Sequence, residues 1–216
     1  MAGAEFLAEA AQELGLGRRT GLEIPENAGQ LALPEVKLAV QDERWYNADT
    51  LMAGFGQGLN RFTPVQLANY AATIGNGGTL YSLSILQKIR NPDFEDIFVQ
   101  TPNVLNVIEE THYIEMIQEG MLNVSRGNRG TARSVFRSYP IPVASKTGTV
   151  QVEGRAMNDG VFVCYAPADD PEIAISIVIE KGGSGAQIMD IARIIMDHYF
   201  VTQGTFLTMP YGELVP

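Results

Sequence analysis

The sequence predicts an α/β fold, an antiparallel sheet flanked by helices, on two observations. The C-terminal third holds three short β-branched or apolar runs, Pro142 to Val152, Gly160 to Ala166 and Ile173 to Glu180, separated by turn residues. Elsewhere, four segments space their apolar residues three and four apart, the period of an amphipathic helix. Apolar residues make up 45% of the 216 and charged residues 19%, which suits a folded chain with a substantial core.

The first helix is predicted over Ala4 to Leu14, with Phe6, Leu7, Ala10, Ala11 and Leu14 on one face and Gly15 and Gly17 as stop signals. Thr20 to Arg61 shows no sustained period and contains Pro25, Pro34 and several glycines, so it reads as a loop-rich excursion over the surface. Inside it, Gly54-Phe55-Gly56-Gln57-Gly58 sets glycines at alternate positions, a turn that tolerates unusual backbone angles. Thr63-Pro64-Val65-Gln66 is a helix start, with Thr63 to cap, proline at the first helical position and Gln66 to complete a capping box. Leu67, Tyr70, Ala71 and Ile74 form its stripe before Asn76-Gly77-Gly78 ends it. Another helix is predicted over Glu109 to Val124, burying Ile114, Ile117, Met121 and Leu122, with His112 an exposed residue near its start.

The connection Ala166-Pro167-Ala168-Asp169-Asp170-Pro171 is too short for a helical crossover, so the last two strands are expected to pair antiparallel. Gly182-Gly183-Ser184-Gly185 then leads into a helix over Ala186 to Phe200 that packs on the sheet through Ile188, Ile191, Ala192, Ile195 and Tyr199. His198, late in that helix, is accounted for by its dipole. Val201 to Pro216 has two prolines and little period. Residues 1–200 therefore read as one structural portion and 201–216 as a tail.

Fifteen Lys and Arg against twenty-five Asp and Glu give a formal charge of −10, which repels phosphate backbones and argues against a nucleic-acid partner. Arg126, Arg129, Arg133 and Arg137 are the densest positive stretch, either a solvated basic face or a local attraction for an anionic ligand. One cysteine, Cys164, cannot close an intrachain disulfide, and two histidines cannot build a His-rich metal cluster. No metal and no cofactor is expected. No apolar run approaches the eighteen residues of a membrane span.

Lys146-Thr147-Gly148-Thr149 lies within the first predicted strand, so Lys146 and Gly148 point to one face and Thr147 and Thr149 to the other. A cation beside two hydroxyls suits a substrate carboxylate and lowers the pKa of a neighbouring nucleophile. A mid-strand glycine weakens a strand, which suggests that something approaches its backbone closely, such as a ligand laid alongside as an extra strand.

K-T-G joins S-x-x-K and S-x-N as the working motifs of penicillin-binding proteins and β-lactamases. The chain resembles the second half of the transpeptidase domain of class B penicillin-binding proteins over roughly Leu14 to Phe200. Beyond K-T-G, the resemblance rests on the Gly54–Gly58 turn followed by Thr63-Pro64-Val65-Gln66-Leu67-Ala68, and on Asn76-Gly77-Gly78-Thr79. It extends to Gly130-Thr131-Ala132, Val161–Pro167 and Glu180–Gly185.

That resemblance implies a β-lactamase/transpeptidase-like fold and an acyl transferase that cross-links peptidoglycan. A serine attacks a stem peptide ending in D-Ala-D-Ala, and β-lactams acylate the same serine. Lys146 would supply positive potential, Thr147 and Thr149 would hold the substrate or drug carboxylate, and Gly148 would permit close approach. The backbone N–H of Thr149 would be half of the oxyanion hole. Yet none of Ser82, Ser84, Ser125, Ser134, Ser138, Ser145, Ser176 and Ser184 is followed three positions later by lysine, and no S-x-N occurs. Arg137, three after Ser134, stays protonated and cannot act as the base.

The family places both absent motifs upstream, so the fold is expected to be incomplete here, the isolated chain inert, and the missing N-terminal part of the domain a required partner. Exposed apolar faces are then expected to drive aggregation or a homodimer. The parent implied by the resemblance is anchored in the cytoplasmic membrane with its catalytic domain outside. A serine β-lactamase, a penicillin sensor and a non-catalytic peptidoglycan-binding module are the alternatives.

Overall fold

In the computed structural model, which describes residues 3–152 and 154–202, the chain forms two compact units. One is built on the residues up to Thr73 and on Gly77–Glu109, the other on Ile74–Asn76 and the residues from Glu110 onward.

The first unit opens with α1, Ala4–Glu13. Its buried residues are Ala4 and Ala8, flanked by half-buried Leu7 and Ala11, while Phe6 is 62% exposed. Residues 4, 7, 8 and 11 are as regular a stripe as the predicted one, and alanines allow the closer approach. The predicted loop-rich stretch holds two further helices, α2 (Pro34–Gln41) and α3 (Asn47–Gly54). Each has only eight residues, too short for a hydrophobic period to emerge, and each is instead set by its ends. Pro34 occupies the start of α2, and Asp42 ends it in the left-handed region at φ 55°. The Asp49 carboxylate accepts the Tyr46 N–H at 2.7 Å to start α3. Lys37 is buried and paired with Asp49 at 2.8 Å and Glu43 at 3.4 Å. Glu26 ties down the preceding loop. Burial pushes its carboxyl up, but the Thr20 hydroxyl and the N–H groups of Gly21, Thr20 and Leu22 outweigh burial and hold it below its usual value.

The helix α4 (Pro64–Gly75) starts with the predicted capping box: Thr63 N–H donates to Gln66 Oε1 at 2.9 Å and Gln66 N–H to Thr63 Oγ1 at 3.3 Å. Gln66 is fully buried, and its Nε2 donates to the carbonyls of Arg18 at 2.6 Å and Ala28 at 2.8 Å. Asn69 donates to Tyr81 O at 3.0 Å. The inner face of α4 thus includes buried polar side chains beside Ala71, satisfied by the carbonyls of Arg18, Ala28 and Tyr81 and, for Thr73, by that of Asn69 within the helix at 2.8 Å. Two short antiparallel pairs complete the unit: β1 (Thr79–Tyr81) with β4 (Val104–Val107), and β2 (Lys88–Arg90) with β3 (Asp96–Val99). The sequence reading did not anticipate them, because three- or four-residue strands carry no readable alternation.

The second unit carries the predicted sheet, β5 (Ala144–Val150), β6 (Asp159–Ala166) and β7 (Ile173–Ile179), in the order β5-β6-β7 and antiparallel throughout. As expected from the short connection, Ala166 pairs with Ile173. Among the described residues β5 is a sheet edge. Residues opposite one another share a face, so Ser145, Cys164 and Ile175 lie on one side and Lys146, Val163 and Ser176 on the other. The Cys164 side is the core: Phe136, Tyr139, Phe162, Ile188, Met196 and Phe200 pack there, and burial pushes the Cys164 thiol well up.

The helices of this unit are α5 (Thr111–Arg126), the one-turn α6 (Arg133–Phe136) and α7 (Gly185–Thr202). In α5, Ile114 and Met121 are buried as predicted, but Ser125 replaces Leu122 as the next buried residue and Ile117 is 37% exposed. His112 is exposed against Tyr113. On α7 the sheet-facing stripe is Ile188, Met189, Ala192, Met196 and Phe200, while Ile191 and Ile195 are each 40% exposed. Methionines and isoleucines surround this helix, and the flexible methionines fill the core side. Tyr139 Oη donates to Asp197 Oδ1 at 2.8 Å inside this core. Burial pushes the Asp197 carboxyl up further than the Tyr139 bond and the Arg193 charge pull it down. Val201 and Thr202 continue α7; the rest of the predicted tail lies outside the described residues.

Candidate active site

Lys146, Thr147, Gly148 and Thr149 occupy the middle of β5. Lys146 and Thr149 are exposed, Thr147 and Gly148 half-buried. Lys146 Nζ donates to the carbonyl of Thr147 at 2.7 Å.

Two pairs of hydroxyls fix β5 to the chain just before it. Ser125 Oγ of α5 and Ser145 Oγ, both fully buried, lie 2.7 Å apart. Thr131 Oγ1 and Thr147 Oγ1 lie 2.8 Å apart. Thr131 is the middle residue of Gly130-Thr131-Ala132, and its position depends on Gly130. A β-carbon at Gly130 would lie 2.2 Å from Val124 O. Without one, the chain crosses the end of α5 closely enough for Ala132 N–H to bond Val124 O at 3.0 Å. The G-T-A turn therefore caps α5 and holds Thr147 at once. Replacing Ser145 with alanine strands the Ser125 hydroxyl in the core, an expected cost of about 1–3 kcal/mol, and the Ser125→Ala, Ser145→Ala double variant should recover most of it. Urea denaturation of the three variants measures this; additive losses would show that the two hydroxyls do not act as a pair.

Close approach to Gly148 also occurs from within the protein. A β-carbon on Gly185, the first residue of α7, would lie 2.8 Å from Gly148 N and 2.1 Å from Val161 O. The start of α7 thus sits backbone to backbone against the centre of the K-T-G strand. At Gly148 itself a β-carbon would come within 3.2 Å of Val161 Cβ.

Beside β5 lies a groove of about 440 Å³. One wall is Lys146 and Thr147; the other is Gly120, Asn123, Val124 and Gly127 of α5 and its end, with Arg129, Gly130 and Thr131 beyond. A cation and hydroxyls on a sheet edge next to a groove are chemically suited to an extended peptide with a carboxylate. Of the arginine stretch, exposed Arg129 lines this groove, whereas Arg126, half-buried Arg133 and Arg137 do not. The sequence reading missed the α5 wall. Its legible signals were a glycine, Gly120, in the middle of a helix and a serine, Ser125, one turn after buried Met121.

Residues 1–197 match the family model of the penicillin binding protein transpeptidase domain, and the chain belongs to that family. It is 28% identical over 213 residues to the peptidoglycan D,D-transpeptidase MrdA of Escherichia coli, covering 91% of this chain and 33% of that protein. It is 30% identical to MrdA of Acinetobacter baumannii, covering 89% of this chain and 30% of that protein. The chain thus spans about a third of the length of these curated relatives. The crystal structure of Pseudomonas aeruginosa PBP2 superposes with a TM-score of 0.78 at 29% identity, over 92% of this chain and 44% of that one. PBP2 of Helicobacter pylori, solved in complex with MreC, gives 0.79 at 25% identity, over 95% and 37%.

Among the described residues, no helix is long and apolar enough to cross a membrane.

Proposed function

We propose that this chain supplies the carboxylate-binding wall of a serine D,D-transpeptidase that cross-links peptidoglycan. The observation that carries this reading is Lys146–Thr149 held on an edge strand beside an open groove. A stem peptide ending in D-Ala-D-Ala lies along β5, with its terminal carboxylate at Thr147 and Thr149 and Lys146 supplying positive charge. The backbone N–H of Thr149 stabilises the oxyanion as serine attacks the penultimate D-alanine carbonyl. The serine ester forms, the peptide bond to the last residue breaks, and D-alanine leaves with the proton. An amine of a neighbouring strand then takes the acyl group. β-Lactams enter by the same carboxylate and acylate the same serine.

None of the eight serines carries the S-x-x-K spacing, so the nucleophile and its lysine come from outside these 216 residues. The full enzyme that we infer is anchored in the cytoplasmic membrane with this domain outside, and the serine-bearing part of the domain is the chain's partner. The relatives' names, peptidoglycan D,D-transpeptidase among them, support this reading.

A fluorescent penicillin provides the test. The 216-residue chain is expected to take up no covalent label, whereas the chain joined to a serine-bearing upstream segment of a relative is expected to be labelled. Lys146→Ala in that joined protein should slow labelling by about 10²–10³-fold, the scale of losing one electrostatic stabiliser. Covalent labelling of the isolated chain, or full-rate labelling of the Lys146→Ala protein, would overturn the assignment.

A further inference from the structure

The Thr147 hydroxyl has two claims on it. It lies 2.8 Å from the hydroxyl of Thr131, and Thr147 lines the groove in which the function proposed above places a carboxylate. A threonine hydroxyl carries one proton and two lone pairs, so it donates one hydrogen bond at a time. A carboxylate only accepts. When one is bound at Thr147, the Thr147 proton is committed to it, and the 2.8 Å bond persists only with Thr131 as its donor. With the pair reversed, Thr147 would turn its lone pairs toward the groove and repel the same anion.

The chain on both sides of Thr131 fixes it for that task. Gly130 N–H bonds Gly127 O at 3.0 Å, and the fully buried Ala132 bonds Val124 O through its N–H at 3.0 Å. The approach is tight enough that a β-carbon on Gly130 would lie 2.2 Å from Val124 O and 2.6 Å from Asn123 O. Thr131 is thereby held at both neighbours while its own side chain stands exposed at the groove. Thr147 is fixed as well: it pairs with Phe162 in the sheet, and Ser145, two residues earlier on the same face, bonds Ser125 at 2.7 Å. Both hydroxyls are in place before any ligand arrives, so little ordering remains for binding to supply.

We propose that Thr131 is a positioning residue, which donates its hydroxyl proton to Thr147 and so turns the Thr147 proton toward the terminal carboxylate of the stem peptide. This rests on the function proposed above and adds to it a residue outside K-T-G. Each hydrogen bond in such a row polarises the next, so Thr147 donates more strongly with Thr131 behind it than alone. Thr131 itself touches no substrate. Its effect is on the contrast between charged and neutral chain ends: a carboxylate gains from the relay, whereas a carboxamide, which brings N–H donors of its own, gains little.

The test is an NMR titration of the 216-residue chain with N-acetylated D-Ala-D-Ala and with the same peptide ending in a carboxamide. The ratio of the two dissociation constants is the readout. Wild type is expected to bind the acid about tenfold more tightly than the amide. Thr131→Val, which keeps the branched shape without the hydroxyl, should cut that ratio about fivefold, and Thr131→Ser should keep most of it. Thr147→Val should cut the ratio at least as far, and adding Thr131→Val to it should change the ratio no further, since the relay then lacks its second member. A wild-type ratio in Thr131→Val, or a loss that acid and amide share equally, overturns the inference and leaves the K-T-G assignment standing. So does a fall in the ratio that Thr131→Ser shows to the same extent. A ratio of one in wild type, or no binding of either peptide, overturns both.

Discussion

Replacing Gly185 with alanine is expected to destabilise the second unit by about 3 kcal/mol, at the upper end of overpacking costs, although it adds one methyl group and improves helix propensity. The added carbon would lie 2.1 Å from Val161 O, 2.8 Å from Gly148 N and 3.0 Å from Gly148 O, all backbone atoms of the sheet centre. A flexible side chain could swing away, but paired strands cannot. Relief therefore requires α7 to lift from the strands, which would part Ile188 and Met189 from the core. Denaturant unfolding followed by near-ultraviolet circular dichroism measures the loss. An unchanged midpoint would mean that helix and sheet slide past each other, and that α7 does not set the position of the K-T-G strand.

Gln66→Leu is expected to cost about 2–4 kcal/mol, because it removes the bonding partner of three groups at once. Arg18 O and Ala28 O lose their donor, and the Thr63 N–H loses its acceptor. Leucine has similar bulk, so the loss would report hydrogen bonding more than packing. Hydrogen exchange should rise across residues 18–30, the loop that the side chain pins. Gln66→Glu is the sharper test: a carboxylate keeps the Thr63 bond but faces two carbonyls. Its pKa in the folded state should rise above the unfolded value. Stability is then highest in acid, where the group is protonated in both states, and falls as pH increases through the raised folded value. A Glu variant as stable as wild type at neutral pH, or protection of 18–30 unchanged in Gln66→Leu, would show that the loop is held elsewhere.

The contrast between Gln66 and Lys146 shows what a single sequence exposes. Gln66 was readable as a capping residue, because a capping box is local and its members are three apart. Its reach to Arg18 and Ala28 was not, because those carbonyls lie 48 and 38 residues away and carry no side-chain signature. The three sheet strands were legible from β-branched or apolar runs of seven to eleven residues and a short connection, whereas α2, α3 and β1–β4 are too short to show a period. On α7 the period was right and the phase wrong, since Ile191 and Ile195 are as apolar as Met189 and Met196. At the site, K-T-G was recognisable from its chemistry and from the ordered motifs around it. The groove's other wall was hidden because glycine and asparagine on a helix announce nothing until the strand beside them is in place. At Gly148 the sequence suggests a ligand approaching the strand; the close approach that the structure shows there is made by Gly185, thirty-seven positions on, which nothing local to K-T-G announces.

The bond from Lys146 Nζ to the carbonyl of its own neighbour, Thr147, has a consequence for the chain's company as well as for its chemistry. An edge strand invites other strands, and a sheet that must accept a peptide cannot close itself off with a bulge or a proline. A lysine folded over one of its acceptors serves as a movable guard. A partner that brings a carboxylate can draw the ammonium aside and occupy the edge; a strand that brings none meets a charge it must first dislodge. In the function proposed above, the side chain that receives the peptide also discourages indiscriminate pairing, and selectivity at this edge begins before any bond is made or broken.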